Sequence, residues 1–277
     1  MVDVFILSFF IYSVLGYISE VIYCSIPQRR FVNRGFLYGP YLPIYGFGSL
    51  IVTVLLDPLG EYPVAVFVLA FILTSCLEYF TSWLLEKLFS VKLWDYSKHK
   101  VNINGRVCLL NSTLFGIMGL CCEYLVQPFV DELIALIPDD ICHIIAMAIV
   151  ALVASDTAIS VAKMKAFKDT LARIRALRSE AEEHLAALRG EGKAELAEEL
   201  RLRFEASIEK YKDGIRKTSE HIMRSNPSLS SRNKALEAQL SILRSWSQER
   251  KALKKKYKED VDAVNKSHIE AMRKSGK

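Results

Sequence analysis

Five runs of about 20 mainly apolar residues follow one another in the first 162 positions of the chain, and they constrain its fold more than any other feature. The hydrocarbon core of a bilayer offers the backbone no hydrogen-bond partners, so helices of this length are what cross it. The expected spans are residues 4–26, 36–56, 64–85, 107–126 and 141–162. The sequence therefore predicts an all-α, polytopic transmembrane bundle in residues 1–162.

The loops between these runs alternate in charge. The first and third are basic and the second and fourth acidic, through Arg29, Arg30 and Arg34, then Asp57 and Glu61, then Lys87, Lys92, Lys98, Lys100 and Arg106, then Asp131, Glu132, Asp139 and Asp140. Because cytoplasmic loops carry the excess of lysine and arginine, the N-terminus is expected outside the cell membrane and the C-terminal part in the cytoplasm. The first run has no basic start and no small-residue cleavage site, so we interpret it as a retained span.

Residues 163–277 differ in composition from the apolar part. The first 162 residues contain 8 basic and 13 acidic residues, a net charge of −5. Residues 163–277 have a net charge of +10, so the whole chain has a net charge of +5. Apolar residues such as Leu171 and Ile174 recur at helical spacing, and residues 225–228 read as a turn. This pattern predicts a cytoplasmic, basic α-helical hairpin or coiled coil. The lysines at 254–256 suit either a solvated helix face or a contact with anionic lipid.

The second span is interrupted in its first half. Gly39, Pro40, Pro43 and Gly46 lie close together there, and proline removes a backbone donor and clashes with the preceding turn. A regular helix is therefore not expected in that half. One interpretation is a broken helix that lines a substrate or ion path. The other is a kinked packing helix whose glycines permit close contact.

Three carboxylates lie at a similar depth in the spans that run from outside to inside. Glu20, Glu78 and Asp156 precede the next basic residue by nine, nine and seven positions. A charged side chain inside a bilayer costs free energy, so it usually has a structural or functional role. We expect either a functional acidic cluster that binds a cation, a proton or a basic substrate, or structural pairing with Arg34 and Arg106.

The remaining chemistry-bearing residues do not form a recognisable reaction site. The six cysteines lie in or beside apolar runs, without the spacing of a metal site, and no metal or other cofactor is expected. The chain has no phosphate-binding loop and no readable group of nucleophile, base and orienting residue. We therefore expect neither an enzyme nor a nucleic-acid-binding protein.

Residues 12–23 (YSVLGYISEVIY), 31–48 (FVNRGFLYGPYLPIYGFG) and 94–112 (WDYSKHKVNINGRVCLLNS) together resemble the bacterial family of ABC-transporter type IV membrane proteins. The resemblance covers residues 1 to 165. It implies a permease-like transmembrane subunit that lacks its own ATPase and works with a separate ATPase subunit. The alternative is a membrane scaffold or regulatory anchor that presents a helical arm to partner proteins. Five spans are few for a complete pathway, so a homo-oligomer or larger complex is expected.

Overall fold

The structure is a computed structural model that describes residues 1–29 and 31–190, with isolated positions from 196 to 252. Its helices are α1 (Val2–Gln28), α2 (Pro43–Leu55), α3 (Pro63–Phe89), α4 (Leu109–Cys121), α5 (Gln127–Ala135) and α6 (Asp139–Gly190). A short 3₁₀ turn covers Asp57–Leu59, and a π-helical turn at Cys122–Val126 joins α4 to α5. The chain divides into two compact units, Met1–Arg232 and Asn233–Lys277, and the features below belong to the first.

Within the part of the chain that the structure describes, four helical stretches are long and apolar enough to cross a membrane: Val2–Ile26, Pro63–Phe89, Leu109–Ala135 and Asp139–Asp169. This confirms the mostly helical, membrane-type bundle that the hydropathy predicts. Many of their large apolar side chains are exposed, for example Ile144, Leu152 and Ile159 of α6, as expected of surfaces that face lipid. Beyond Asp169, α6 continues to Gly190 without a break. The predicted hairpin beyond that residue lies largely outside the described residues.

The second expected span is helical only in its second half. Helix α2 has 13 residues, which reach about 20 Å, less than the hydrocarbon thickness of about 30 Å. It begins at Pro43, where a missing N–H costs no helical hydrogen bond, and the preceding Leu42 is extended. Residues 31–42, called the linking segment here, contain no helix. The prediction of an irregular first half is therefore confirmed, whereas the expected span from residue 36 is wrong in its extent.

The linking segment lies along α1, which supplies hydrogen bonds that a helix would otherwise make. The Leu42 amide donates to the Ser13 carbonyl at 2.9 Å, and the Val32 amide donates to Ser25 Oγ at 3.0 Å. The Tyr17 hydroxyl donates to Asn33 at 2.8 Å. The irregular backbone of the linking segment is thus hydrogen-bonded in part by protein groups, which is what such a backbone requires where water is absent.

Helices α1 and α2 approach each other closely at Gly46. A Cβ on Gly46 would lie 2.6 Å from the Phe9 carbonyl oxygen and would also overlap the Ser13 hydroxyl. A Cβ on Gly48, two residues further along the chain and on another face, would meet Leu77 at an ordinary 3.8 Å. Absence of a side chain is therefore needed at Gly46 but not at Gly48.

These two glycines give a matched pair of alanine variants. We expect Gly46→Ala to lower the stability of the bundle by about 1–3 kcal/mol, since α1 and α2 must move apart. Gly48→Ala should be neutral or stabilising by about 0.4–1 kcal/mol, because alanine restricts the unfolded chain and fits the space. Thermal unfolding midpoints of the two variants in the same detergent check this, and equal midpoints would contradict the packing at Gly46.

A compact hairpin joins α3 to α4. Its strands, β1 (Asn102–Ile103) and β2 (Val107–Cys108), pair antiparallel, and the turn between them has positive φ at both Asn104 and Gly105. Asparagine followed by glycine is the preferred sequence for such a turn. Residues 90–108 are called the hairpin loop here.

The two ends of the hairpin loop are buried against the bundle, whereas Val101 and Ile103 near its turn are exposed. Val91, Leu93 and Val107 are each less than 5% exposed. The Trp94 indole donates to the Arg106 carbonyl at 3.0 Å, and Lys92 Nζ donates to the Asn104 carbonyl at 2.9 Å. These bonds hold both sides of the loop together, so it closes this end of the bundle as one unit.

Candidate functional site

A cavity of about 480 Å³ lies among the helices. Its walls come from α1, the linking segment, α2, α3, the hairpin loop, α4 and α6. Most of the lining is apolar, and its aromatic side chains include Phe9, Phe36, Tyr45, Trp94, Tyr96 and Phe115. Among the described residues, the charged side chains on the lining are Glu20, Arg34 and Glu78. A largely apolar cavity of this size with a few polar groups is typical of a small-molecule site.

Glu20 of α1 is balanced by a cation and held by a hydroxyl. Its Oε2 lies 3.6 Å from Arg34 Nε, and its Oε1 accepts a hydrogen bond from the Tyr45 hydroxyl at 2.9 Å. Tyr45 reaches this position because Gly16, one helical turn before Glu20, leaves room for its ring. The predicted partner Arg34 is therefore beside Glu20 in the structure, and the pair adds no net charge to the cavity.

Glu78 of α3 is in a different situation. The residue is 5% exposed, and its Oε1 accepts a hydrogen bond from the Tyr96 hydroxyl at 3.2 Å. Its Oε2 is buried and has no hydrogen-bond partner among the described residues. Buried polar atoms are nearly always hydrogen-bonded, so an unpartnered oxygen on a carboxylate whose residue lines a cavity needs an explanation.

Tyr96 is the hairpin-loop residue that reaches up to Glu78. Burial raises the pKa of the Tyr96 hydroxyl, and the carboxylates of Glu78 and Glu20 raise it further. The hydroxyl therefore stays protonated at neutral pH and remains a hydrogen-bond donor. Through this residue, the loop that closes the end of the bundle is connected directly to the cavity carboxylate.

Asp156 of α6 does not line the cavity but holds the linking segment. Its carboxylate accepts hydrogen bonds from the amides of Tyr38 at 3.1 Å and Gly39 at 2.8 Å, and from the hydroxyls of Tyr41 at 2.7 Å and Ser160 at 3.2 Å. A side chain on Gly39 would overlap the Tyr41 ring. The structure thus brings Glu20 and Glu78 to one cavity and places Asp156 on a separate contact.

Arg106 pairs with Glu86, a residue that the sequence analysis did not single out. The Nη2 of Arg106 lies 2.7 Å from Glu86 Oε2, and the side chains are 5% and 15% exposed. The guanidinium also lies 5.4 Å from the centre of the Tyr79 ring. Glu86 was missed because Lys87 follows it, which is typical of an interfacial position. One sequence signal could have identified Glu86 as the partner of Arg106. It is an acidic residue at the end of one span followed by a basic residue at the start of the next.

The four candidate path residues have different positions. Pro43, the first residue of α2, lines the cavity. Gly39 and Pro40 belong to the linking segment, and Gly46 packs on α1, so these three are not among the residues that line the cavity. For Gly46, close packing is the interpretation that the geometry favours.

The part of the chain after the predicted turn at 225–228 contacts the hairpin loop. Ser230 and Lys92 exchange two backbone hydrogen bonds, at 2.7 and 3.0 Å, and the Ser230 hydroxyl donates to Asp95 Oδ2 at 2.8 Å. Asn226 is 4% exposed and lines the cavity. Sequence reasoning could not find this contact, because it joins positions more than 130 residues apart by a single backbone bridge.

We expect this contact to depend on pH through Asp95. Burial raises the pKa of its carboxyl, but hydrogen bonds from Ser97 and Ser230 outweigh that effect and leave the pKa below its ordinary value. A lowered native-state pKa stabilises the fold above the ordinary carboxyl pKa of about 3.9, and the contribution is lost as the pH falls through the native value. We expect Asp95→Asn to lower stability by about 1 kcal/mol at neutral pH. Thermal unfolding should show the difference shrinking in acid, and a difference that grows in acid would contradict this.

Within the described residues, no group of three or more His, Cys, Asp or Glu side chains could hold a metal ion.

In comparisons with known proteins, a family model described as "Putative ABC-transporter type IV" matches residues 7–161, more than half of the chain. The match includes all of the cavity lining except Asn226. No curated protein and no solved structure matches the chain.

Proposed function

Because the chain belongs to the ABC-transporter type IV family, we propose that it is the permease-like membrane subunit of an ABC-type transporter whose ATPase is a separate chain. The observation that carries this proposal is the cavity of about 480 Å³, which lies among apolar helices and contains the buried Glu78. Ionisable residues inside a membrane are rare and commonly mark substrate or ion pathways.

The irregular linking segment also supports a transport role. Backbone without helical structure at membrane depth is tolerated where protein or a wet cavity satisfies it, and discontinuous helices next to a binding site are common in transporters. Here Arg34, Phe36 and Leu42 of the linking segment line the cavity directly. The short helix α2 that follows contributes Tyr45 and Ser49 to the same lining.

With the basic loops in the cytoplasm, the hairpin loop closes the cytoplasmic end of the cavity. Tyr96 then connects substrate binding to that end, because it bonds to Glu78 from the hairpin loop. A partner ATPase that moves the hairpin loop would break this bond and open the cavity inward. The chain itself has no phosphate-binding loop, so ATP hydrolysis belongs to the partner.

The competing role is a membrane scaffold that presents a helical arm. One observation favours it: α6 continues to Gly190, well beyond the apolar stretch that ends at Asp169. A scaffold would need the arm for its partners and would be indifferent to the cavity carboxylate.

Co-purification separates the two roles. The full chain is isolated in mild detergent from cells that contain its native partners, alongside a Glu78→Gln variant and a variant truncated after residue 190. The proposal expects an ATPase among the bound proteins, and its retention by Glu78→Gln. If no ATPase is bound to the full chain, and every partner is lost on truncation, the scaffold role replaces the permease role.

A further inference from the structure

We propose that the cavity binds a protonated organic amine with an apolar body, whose ammonium group pairs with Glu78. Transport of this ligand rests on the proposed function, but its binding rests on the cavity alone.

One monovalent cation would neutralise the charged side chains that line the cavity. Glu20 and Arg34 neutralise each other, since their side chains lie 3.6 Å apart. Glu78 is the other charged side chain on the described lining, and no cation of the described residues pairs with it. An ionised carboxylate in a low-dielectric site is stabilised by a partner of opposite charge. A monovalent ligand cation would supply it.

The walls suit an organic cation and not a metal ion. Calcium takes six to eight oxygen ligands and magnesium requires an octahedral shell, whereas the lining is mostly apolar. Aromatic faces attract ammonium groups through their electron-rich centres, and Tyr45, Trp94, Tyr96 and Phe115 all line the cavity. Of these, Tyr45 and Phe115 pack edge to face with ring centres 5.8 Å apart. The remaining apolar wall matches the carbon body of such a ligand.

The free oxygen of Glu78 indicates an ammonium that carries an N–H group. Its Oε1 is occupied by Tyr96, while Oε2 is buried without a hydrogen-bond donor from the described residues. A protonated amine would donate to Oε2 in a charge-assisted hydrogen bond, which a quaternary ammonium could not do. The ligand class is therefore a primary, secondary or tertiary amine in its protonated form.

The test compares two fluorescent ligands of the same shape. The full chain is placed in phosphatidylcholine nanodiscs, and the fluorescence anisotropy of 1-naphthylmethylamine is measured against its neutral analogue, 1-naphthylmethanol. We expect the amine to bind the parent protein at least about tenfold more tightly than the alcohol. Glu78→Gln should remove this preference. The matched control is Glu123→Gln, which changes an intramembrane glutamate that does not line the cavity and should keep the preference.

Equal affinities of the amine and the alcohol for the parent protein would overturn the proposal, and this arm needs no variant. An amine preference that survives in a folded Glu78→Gln protein would overturn it as well. Failure of this inference is distinguishable from failure of the proposed function. Amine binding without any co-purified ATPase would support the amine site and contradict the permease role. An ATPase complex without amine binding would support the permease role and contradict the amine site.

Discussion

Replacing Arg106 by alanine is expected to destabilise the protein by about 3–5 kcal/mol, because it breaks a buried ion pair by removing its cation. The same change removes one of the contacts between the hairpin loop and α3, since Glu86 belongs to α3 and Arg106 to the loop. The effect is measured as a fall in the thermal unfolding midpoint in detergent.

The control for this prediction is a double variant. Arg106→Met combined with Glu86→Leu replaces the ion pair by apolar groups of similar volume, and such replacements are often neutral or stabilising. We therefore expect the double variant to recover most of the stability that Arg106→Ala loses. If Arg106→Ala unfolds at the parent's midpoint, the ion pair does not hold the loop.

The second large effect is expected at Asp156. Its carboxylate accepts four hydrogen bonds, three of them from Tyr38, Gly39 and Tyr41 of the linking segment. Hydrogen bonds to charged groups contribute about 1.5–3 kcal/mol each and are not additive, so Asp156→Ala should cost at least about 3 kcal/mol. The amides of Tyr38 and Gly39 should exchange with solvent deuterium faster in this variant.

Ser160→Ala is the matched control, because it removes one donor to the same carboxylate and leaves the linking segment attached. It should change the unfolding midpoint by a third or less of the Asp156→Ala effect, and leave exchange at residues 38 and 39 unchanged. Similar exchange rates in both variants would mean that Asp156 does not hold the linking segment.

The helices and the break in the second span could be predicted from the sequence, because they depend on local chemistry. Hydropathy over about 20 residues determines which segments suit a bilayer. Proline at positions 40 and 43 determines where a helix cannot run, and α2 begins at Pro43 accordingly. The turn at Asn104 and Gly105 likewise follows from two residues that tolerate positive φ.

The composition of the site was harder to predict, because depth along a helix does not determine the direction in which a side chain points. Spacing from the basic loops predicts a similar level in the bundle for Glu20, Glu78 and Asp156. Helices α1 and α3 are apolar on all sides, so periodicity could not show which face turns inward. Only the packing separates Glu78, on the cavity, from Asp156, on the linking segment.

The partners of the buried charges were equally hidden from the sequence. Arg34 was predicted as a pairing residue and lies beside Glu20. Arg106 was predicted in the same way but turns to Glu86, since the hairpin loop folds back on the end of α3. That fold depends on long-range burial of Val91, Leu93 and Val107, which no local pattern encodes.

ATP hydrolysis by the complex purified through the full chain tests the permease role most directly. In lipid nanodiscs, we expect a co-purified ATPase whose turnover falls at least about tenfold when the chain carries Glu78→Gln, while Glu123→Gln leaves it within about twofold of the parent. The physical reason is that Glu78 occupies the cavity and contacts the hairpin loop through Tyr96, whereas Glu123 does neither. An ATPase whose turnover is the same in all three proteins would contradict a transport role for the cavity.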